Sequence, residues 1–131
     1  MKVKTREEIR KLILDGKDIS NLDVSEVTDM SRLFVEYNDF NQDISGWDVS
    51  NVTDMRWMFE GCTSFNQDIS GWDVSNVKNM YGMFSRCTSF NQDISKWDVS
   101  NVTDMGRIFT GSTSFTHSIP KFKIDKISNL F

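Results

Sequence analysis

Asp23, Asp48, Asp73 and Asp98 stand 25 residues apart, each followed two residues later by a serine. A file of carboxylates invites two kinds of chemistry, binding of a cation or capture of a basic partner. If consecutive segments lie in register, neighbouring carboxylates are about 5 Å apart and repel by roughly 0.8 kcal/mol per pair in water. Like charges facing each other across a sheet destabilise it, so something must offset them. Hydrogen bonds from the adjacent Ser hydroxyls or from turn amides are the plain offset; a cation or a basic partner is the sharper one. Calcium favours several carboxylate oxygens, but the Gly-rich calcium-binding repeat is absent, and Lys123 ends the file by pairing with Asp98. A second file, Asp18, Asp43, Asp68 and Asp93, falls at a loop-to-strand turn, where Asx-type self-capping is the default. No metal ligand is assigned in either.

Other reactive residue types do not converge. His117, the sole histidine, occupies a position filled elsewhere by Gln42, Gln67 and Gln92, and reads as a surface substitution. The serine files have no partnered base, and no phosphate-binding loop, CxxC or HExxH motif is present. Cys62 and Cys87 are 25 residues apart; their parallel side chains favour two small buried thiols over a disulfide. An enzyme needs differentiated groups meeting at one place, so the expectation is a non-catalytic chain without a cofactor.

Recognition remains. Two files vary where the rest of the pattern is fixed: Ser31, Arg56, Tyr81, Gly106, and beside it Arg32, Trp57, Gly82, Arg107. Trp57 has no packing file to explain it, and Arg56 and Tyr81 stand next to it. Tryptophan, tyrosine and arginine are the residues of interface hot spots. Trp57, Arg56, Tyr81, Arg32 and Arg107 are therefore the candidate partner-binding residues, with the acidic file Asp23, Asp48, Asp73 and Asp98 as a second candidate.

These positions must be held by elements, and the elements follow from the period. Phe40, Phe65, Phe90 and Phe115 form one file; Ile44, Ile69 and Ile94 another; Trp47, Trp72 and Trp97 a third, read as core. A fixed period between 20 and 50 residues marks a solenoid. Within one phrase, "WDVS" alternates apolar and polar as a half-buried strand does. From Val52 the spacing changes to threes and fours, Val52, Met55, Met58, Phe59 and Cys62, which predicts a short helix, with Thr53 at its N-cap. The expected fold class is an α/β solenoid of about five 25-residue coils, each a short parallel strand plus a short helix. Residues 1–14 form an N-terminal capping helix, with a capping box from Thr5 to Glu8. The coils follow at 15–39, 40–64, 65–89, 90–114 and, as a partial C-terminal cap, 115–131. Pro120, Lys121, Lys123 and Lys126 would block the last edge, which favours a monomer.

Bulk properties narrow the partners. A net charge of −4 over 131 residues argues against nucleic acid and anionic membrane, and no apolar run approaches the roughly 18 residues of a spanning helix. The opening "MKVKTREEIRKLILDG" lacks the apolar block of a secretory signal. The chain as written reads as cytoplasmic; as a piece of a longer exported protein it would be at a cell surface.

The phrase "MFEGCTSFNQDISGWDVSNVTDM" resembles the repeat of BspA-like bacterial surface proteins and mycoplasma lipoproteins, and the spacing of Ile44, Trp47, Val49, Asn51 and Val52 is similar to a shortened leucine-rich repeat. The resemblance covers residues 15–131. It implies a right-handed, leucine-rich-repeat-like solenoid displayed at cell surfaces and used for adhesion or protein binding. A protein partner of unknown identity is the leading expectation. The alternatives are a structural or engineered module with no ligand, and a cation-binding acidic ladder.

Overall fold

The computed structural model describes residues 1–120 and 130–131. Its first element is α1, Arg6–Leu14, which starts where the side chain of Thr5 accepts the amide of Glu8 at 3.3 Å, with Glu7 and Glu8 in the positive first turn. It stops at Gly16, whose φ of 72° is a left-handed conformation that glycine adopts without steric cost. The amides of Gly16 and Lys17 close back onto the carbonyls of Ile13 and Leu12 at 2.9 and 3.0 Å, a Schellman ending. Ile9 is fully buried, and Leu12 and Ile13 pack partly against the same core. Ahead of α1, Lys2 forms a parallel bridge with Asp23, so the chain's first residues pair with the first coil.

From there, residues 25 apart lie over one another. Phe34, Phe59, Phe84 and Phe109 stack with ring centroids 5.3, 5.6 and 5.8 Å apart. Phe40, Phe65, Phe90 and Phe115 form a parallel file at 5.8, 5.9 and 6.1 Å. Adjacent files interlock within each coil, Phe59 to Phe65 and Phe84 to Phe90 both at 4.3 Å. These are offset stacks in the range where aromatic pairs add to simple burial. Trp47, Trp72 and Trp97 are buried next to them. Each donates its indole N–H to a carbonyl of the preceding coil, at Ile19, Ile44 and Ile69, over 2.9–3.1 Å. A tryptophan can be buried here because that donor has a partner.

The backbone differs from the expected strand and helix in both places. No helix forms over 52–62; α1 is the sole helix among the described residues. Met55, Trp57, Phe59 and Gly61 instead donate their amides outward to the next coil, at Asn79, Tyr81, Met83 and Ser85, over 2.8–2.9 Å. The residues between them turn locally, Met58 to Met55, Glu60 to Trp57 and Cys62 to Phe59. An α-helix would need those amides bonded four residues back at φ near −63°. Here Trp57 has φ 57° and Gly61 has φ 75°, and the pairs Arg32/Glu36, Gly82/Arg86 and Arg107/Gly111 repeat the same left-handed positions. The apolar residues still face inward at threes and fours; Met55, Met58, Phe59 and Cys62 are all completely buried.

The "WDVS" stretch likewise carries no strand pairing. Its sides alternate as expected, Trp47 and Val49 buried around exposed Asp48, but turns at Asp43 and Asp48 bend the chain every five residues. Parallel bridges occur instead at Asp29, Asp54, Asn79 and Asp104, one per coil. Thr53, placed by spacing at a helix N-cap, donates its amide to the Thr28 carbonyl at 2.8 Å. At the far end Phe109 donates to Leu130 at 2.8 Å and Phe131 lies 5.8 Å from its ring. The edge-blocking role expected of Lys121, Lys123 and Lys126, and the Lys123–Asp98 pair, fall outside the described residues.

Candidate functional site

The acidic file is built from turns. Asp23, Asp48, Asp73 and Asp98 are exposed, and each accepts the amide of the serine two residues on at 3.0 Å. Ser25, Ser50 and Ser75 add their hydroxyls at 2.6 Å. Hydrogen bonds to the charged form favour it: the Ser25 hydroxyl, its amide and nearby Lys2 hold Asp23 below the usual carboxylate range, and Ser75 does the same for Asp73. The second file repeats the device, with Asp18, Asp43, Asp68 and Asp93 accepting from Ser20, Ser45, Ser70 and Ser95 at 2.9–3.0 Å. The carboxylates are thus engaged within their own turns, and no cluster of His, Cys, Asp or Glu able to hold a metal occurs among the described residues.

A third file escaped the sequence reading. Asp29, Asp54, Asn79 and Asp104 accept the amides of Ser31, Arg56, Tyr81 and Gly106 at 2.9–3.2 Å. Each of the four coils from 15 to 114 therefore turns three times on an Asx side chain. The signal was present as an Asp or Asn at fixed offset from the other two files, but at Asp54 it also suits a helix N-terminus.

The remaining polar files tie coil to coil. Asn41, Asn66 and Asn91 each accept the amide 25 residues on, at Asn66, Asn91 and Thr116, over 2.9–3.0 Å. Asn51, Asn76 and Asn101 donate to the carbonyls of Ser25, Ser50 and Ser75 at 2.6–2.7 Å. His117 meets the Asn91 carbonyl at 3.1 Å, the contact Gln67 and Gln92 make with Asn41 and Asn66. Cys62 and Cys87 are free and buried, their sulfurs 2.9 Å from the carbonyls of Phe34 and Phe59. Burial pushes the Cys62 thiol up to about 12 and Cys87 further in the same direction.

The third group of candidates lies together on the outward side of the amide ladder. Trp57 is half-buried, its ring 5.2 Å from that of Tyr81 at 68°, an edge-to-face pair. Its indole covers Gly82 so closely that a Cβ there would lie 2.3 Å from Cε3. Arg56 is exposed beside it, with Nε 3.2 Å from Asp54. Arg32 and Arg107 are exposed in the same file as Trp57. Ser31 drops out: it is buried, and Arg6 of α1 donates to both its carbonyl, at 2.8 Å, and its hydroxyl. A neighbouring clamp was not legible in the sequence. Arg86 donates to Glu60 at 2.8 Å and to Glu36 two coils back, and the Glu36 carboxylate passes over Gly61.

The geometry is that of 25-residue segments stacked in register, with three Asx turns and one amide ladder in each coil between residues 15 and 114. The family model described as Mycoplasma protein of unknown function, DUF285, matches residues 6–122, and the chain belongs to that family. No curated protein and no solved structure matches the chain. No helix among the described residues is long and apolar enough to cross a membrane.

Proposed function

We propose that this chain is a non-catalytic repeat scaffold that binds another protein through the face bearing Trp57, Tyr81, Arg56, Arg32 and Arg107. In this reading the stacked coils form a right-handed, leucine-rich-repeat-like solenoid of the BspA-like surface type, and the variable files on its ladder side are where binding is specified. The observation that carries it is the seating of Trp57. An indole already locked against Tyr81 and Gly82 loses little side-chain freedom on binding, and large pre-ordered aromatics give contact area at low entropic cost. The Asp, Asn, Gln and Thr files, by contrast, bond to their own turns or to adjacent coils.

Affinity capture with the native chain and with a Trp57→Ala, Arg56→Ala variant tests this. Both residues lie outside the Phe and Trp core, so the variant keeps the native circular dichroism spectrum. The reading expects a saturable protein partner held by the native chain and released by the variant. Equal retention by both overturns it.

A further inference from the structure

The Trp57 face has a charge pattern that specifies what it takes. Arg6, Arg56 and Arg86 are engaged by Glu7 and Asp29, by Asp54, and by Glu36 and Glu60 respectively. Arg32 and Arg107 are exposed, and among the described residues neither guanidinium has a hydrogen bond or an ion pair. Both belong to the file of Trp57 and Gly82. All four residues share one backbone conformation, with φ between 56° and 62°, so the coils present their side chains in the same way. The file reads cation, indole, glycine covered by that indole, cation. An apolar plate two coils long lies between two guanidiniums.

We infer that this file binds an extended acidic segment of a protein, with a carboxylate at each end and an apolar side chain between them. The inference rests on the ladder side being the binding face. Arg32 and Arg107 are three coils apart, about 15 Å at ~4.8 Å per coil. An extended peptide rises about 3.3 Å per residue, so carboxylates roughly four to five residues apart meet both arginines while the residue between them lies on Trp57. Guanidinium recognises carboxylate by two parallel hydrogen bonds, and an Arg that is not already paired has no internal ion pair to break first. Two of the acidic files lie elsewhere in each coil; the third, Asp29, Asp54 and Asp104, runs three residues before this file, and there Asp29 and Asp54 are paired with Arg6 and Arg56.

The test uses synthetic peptides and NMR of the indole N–H groups of the whole chain. Trp47, Trp72 and Trp97 donate to buried carbonyls, so the Trp57 resonance is the responsive one. The probe is an end-capped Gly/Ser peptide whose only charges are two Glu about five residues apart, with a central Leu. A Lys-for-Glu version and an oligothymidylate serve as controls. The expected result is a saturable shift of the Trp57 signal by the Glu peptide alone, weakening as salt is raised. Arg32→Gln with Arg107→Gln should weaken it by roughly tenfold or more. Those two side chains hold nothing in the fold, so the variant remains native.

Three results overturn the inference: no saturable shift with the Glu peptide, equal binding of the Lys peptide or the oligothymidylate, or unchanged affinity in the double variant. A protein partner whose capture needs Trp57 but is indifferent to salt and to both arginines overturns the acidic specificity alone. Capture that is equal with and without Trp57 overturns the binding face with it.

Discussion

Gly82→Ala separates two consequences of the fold in one residue. Residue 82 has φ 62°, where a Cβ costs about 1–2 kcal/mol, offset by about 0.4–1 kcal/mol from the stiffer unfolded chain. The new methyl would also stand 2.3 Å from Trp57 Cε3 and 2.4 Å from Cζ3, so the indole must leave its seat. Overpacking of that kind costs about 1–3 kcal/mol, and the displaced ring loses its edge contact with Tyr81, worth about 0.5–1.5 kcal/mol. The total expected is about 1.5–6 kcal/mol, read from urea denaturation. In a Trp57→Ala background the steric part vanishes, and the same substitution should cost only about 1 kcal/mol. A double-mutant cycle should therefore give a coupling of about 1.5–4.5 kcal/mol. Equal costs in the two backgrounds would refute the seating of Trp57 on Gly82, and a negligible cost in both would refute the left-handed backbone.

Three further outcomes follow from the bonds within and between the coils. Trp72→Phe leaves the Ile44 carbonyl without its indole donor and should destabilise the chain by about 1–3 kcal/mol beyond the loss of ring volume, checked by thermal melting against Trp57→Phe. Cys62 and Cys87, buried and with their thiols pushed upward, should be inert to a thiol reagent at pH 8 until urea unfolds the chain, when both react. The Ser70 hydroxyl and then its amide hold Asp68 below the usual range, and Ser45 and Ser95 do the same for Asp43 and Asp93. A depressed folded value stabilises above the unfolded pKa of about 3.9 and that contribution is lost as pH falls through the folded value. Stability should thus decline in acid, and Ser70→Ala should move the Asp68 titration upward by NMR.

The side-chain files were legible because a period of 25 lays Phe over Phe and Trp over Trp whatever the backbone does between them. Burial followed: Trp47, Trp72 and Trp97 are in the core, and Asp48 and Asp73 are outside it. The backbone was not legible. Val52, Met55, Met58, Phe59 and Cys62 have the spacing of a helical stripe, and turns that alternate with outward amides reproduce the same spacing without a helix. Nothing in the residue types of Arg32, Trp57 or Arg107 announces a positive φ; Gly61, Gly82 and Gly111 also have positive φ, but a glycine at 61 or 111 equally suits a helix exit. Trp57 stood out in the sequence because it lacked a file, whereas its seat on Gly82 depends on the coil rise. The Glu36–Arg86 contact spans fifty positions and depends on Gly61 having no side chain, a three-body condition that no local pattern encodes.

These segments bond outward to the next coil rather than back along themselves. Scalar couplings across hydrogen bonds, measured from amide nitrogens to carbonyl carbons in labelled protein, read that directly. Couplings are expected from Trp57 to Tyr81, Phe59 to Met83 and Gly61 to Ser85. Couplings from Phe59 to Met55 and from Met58 to Asp54, the four-residue pattern of a helix, would contradict outward bonding.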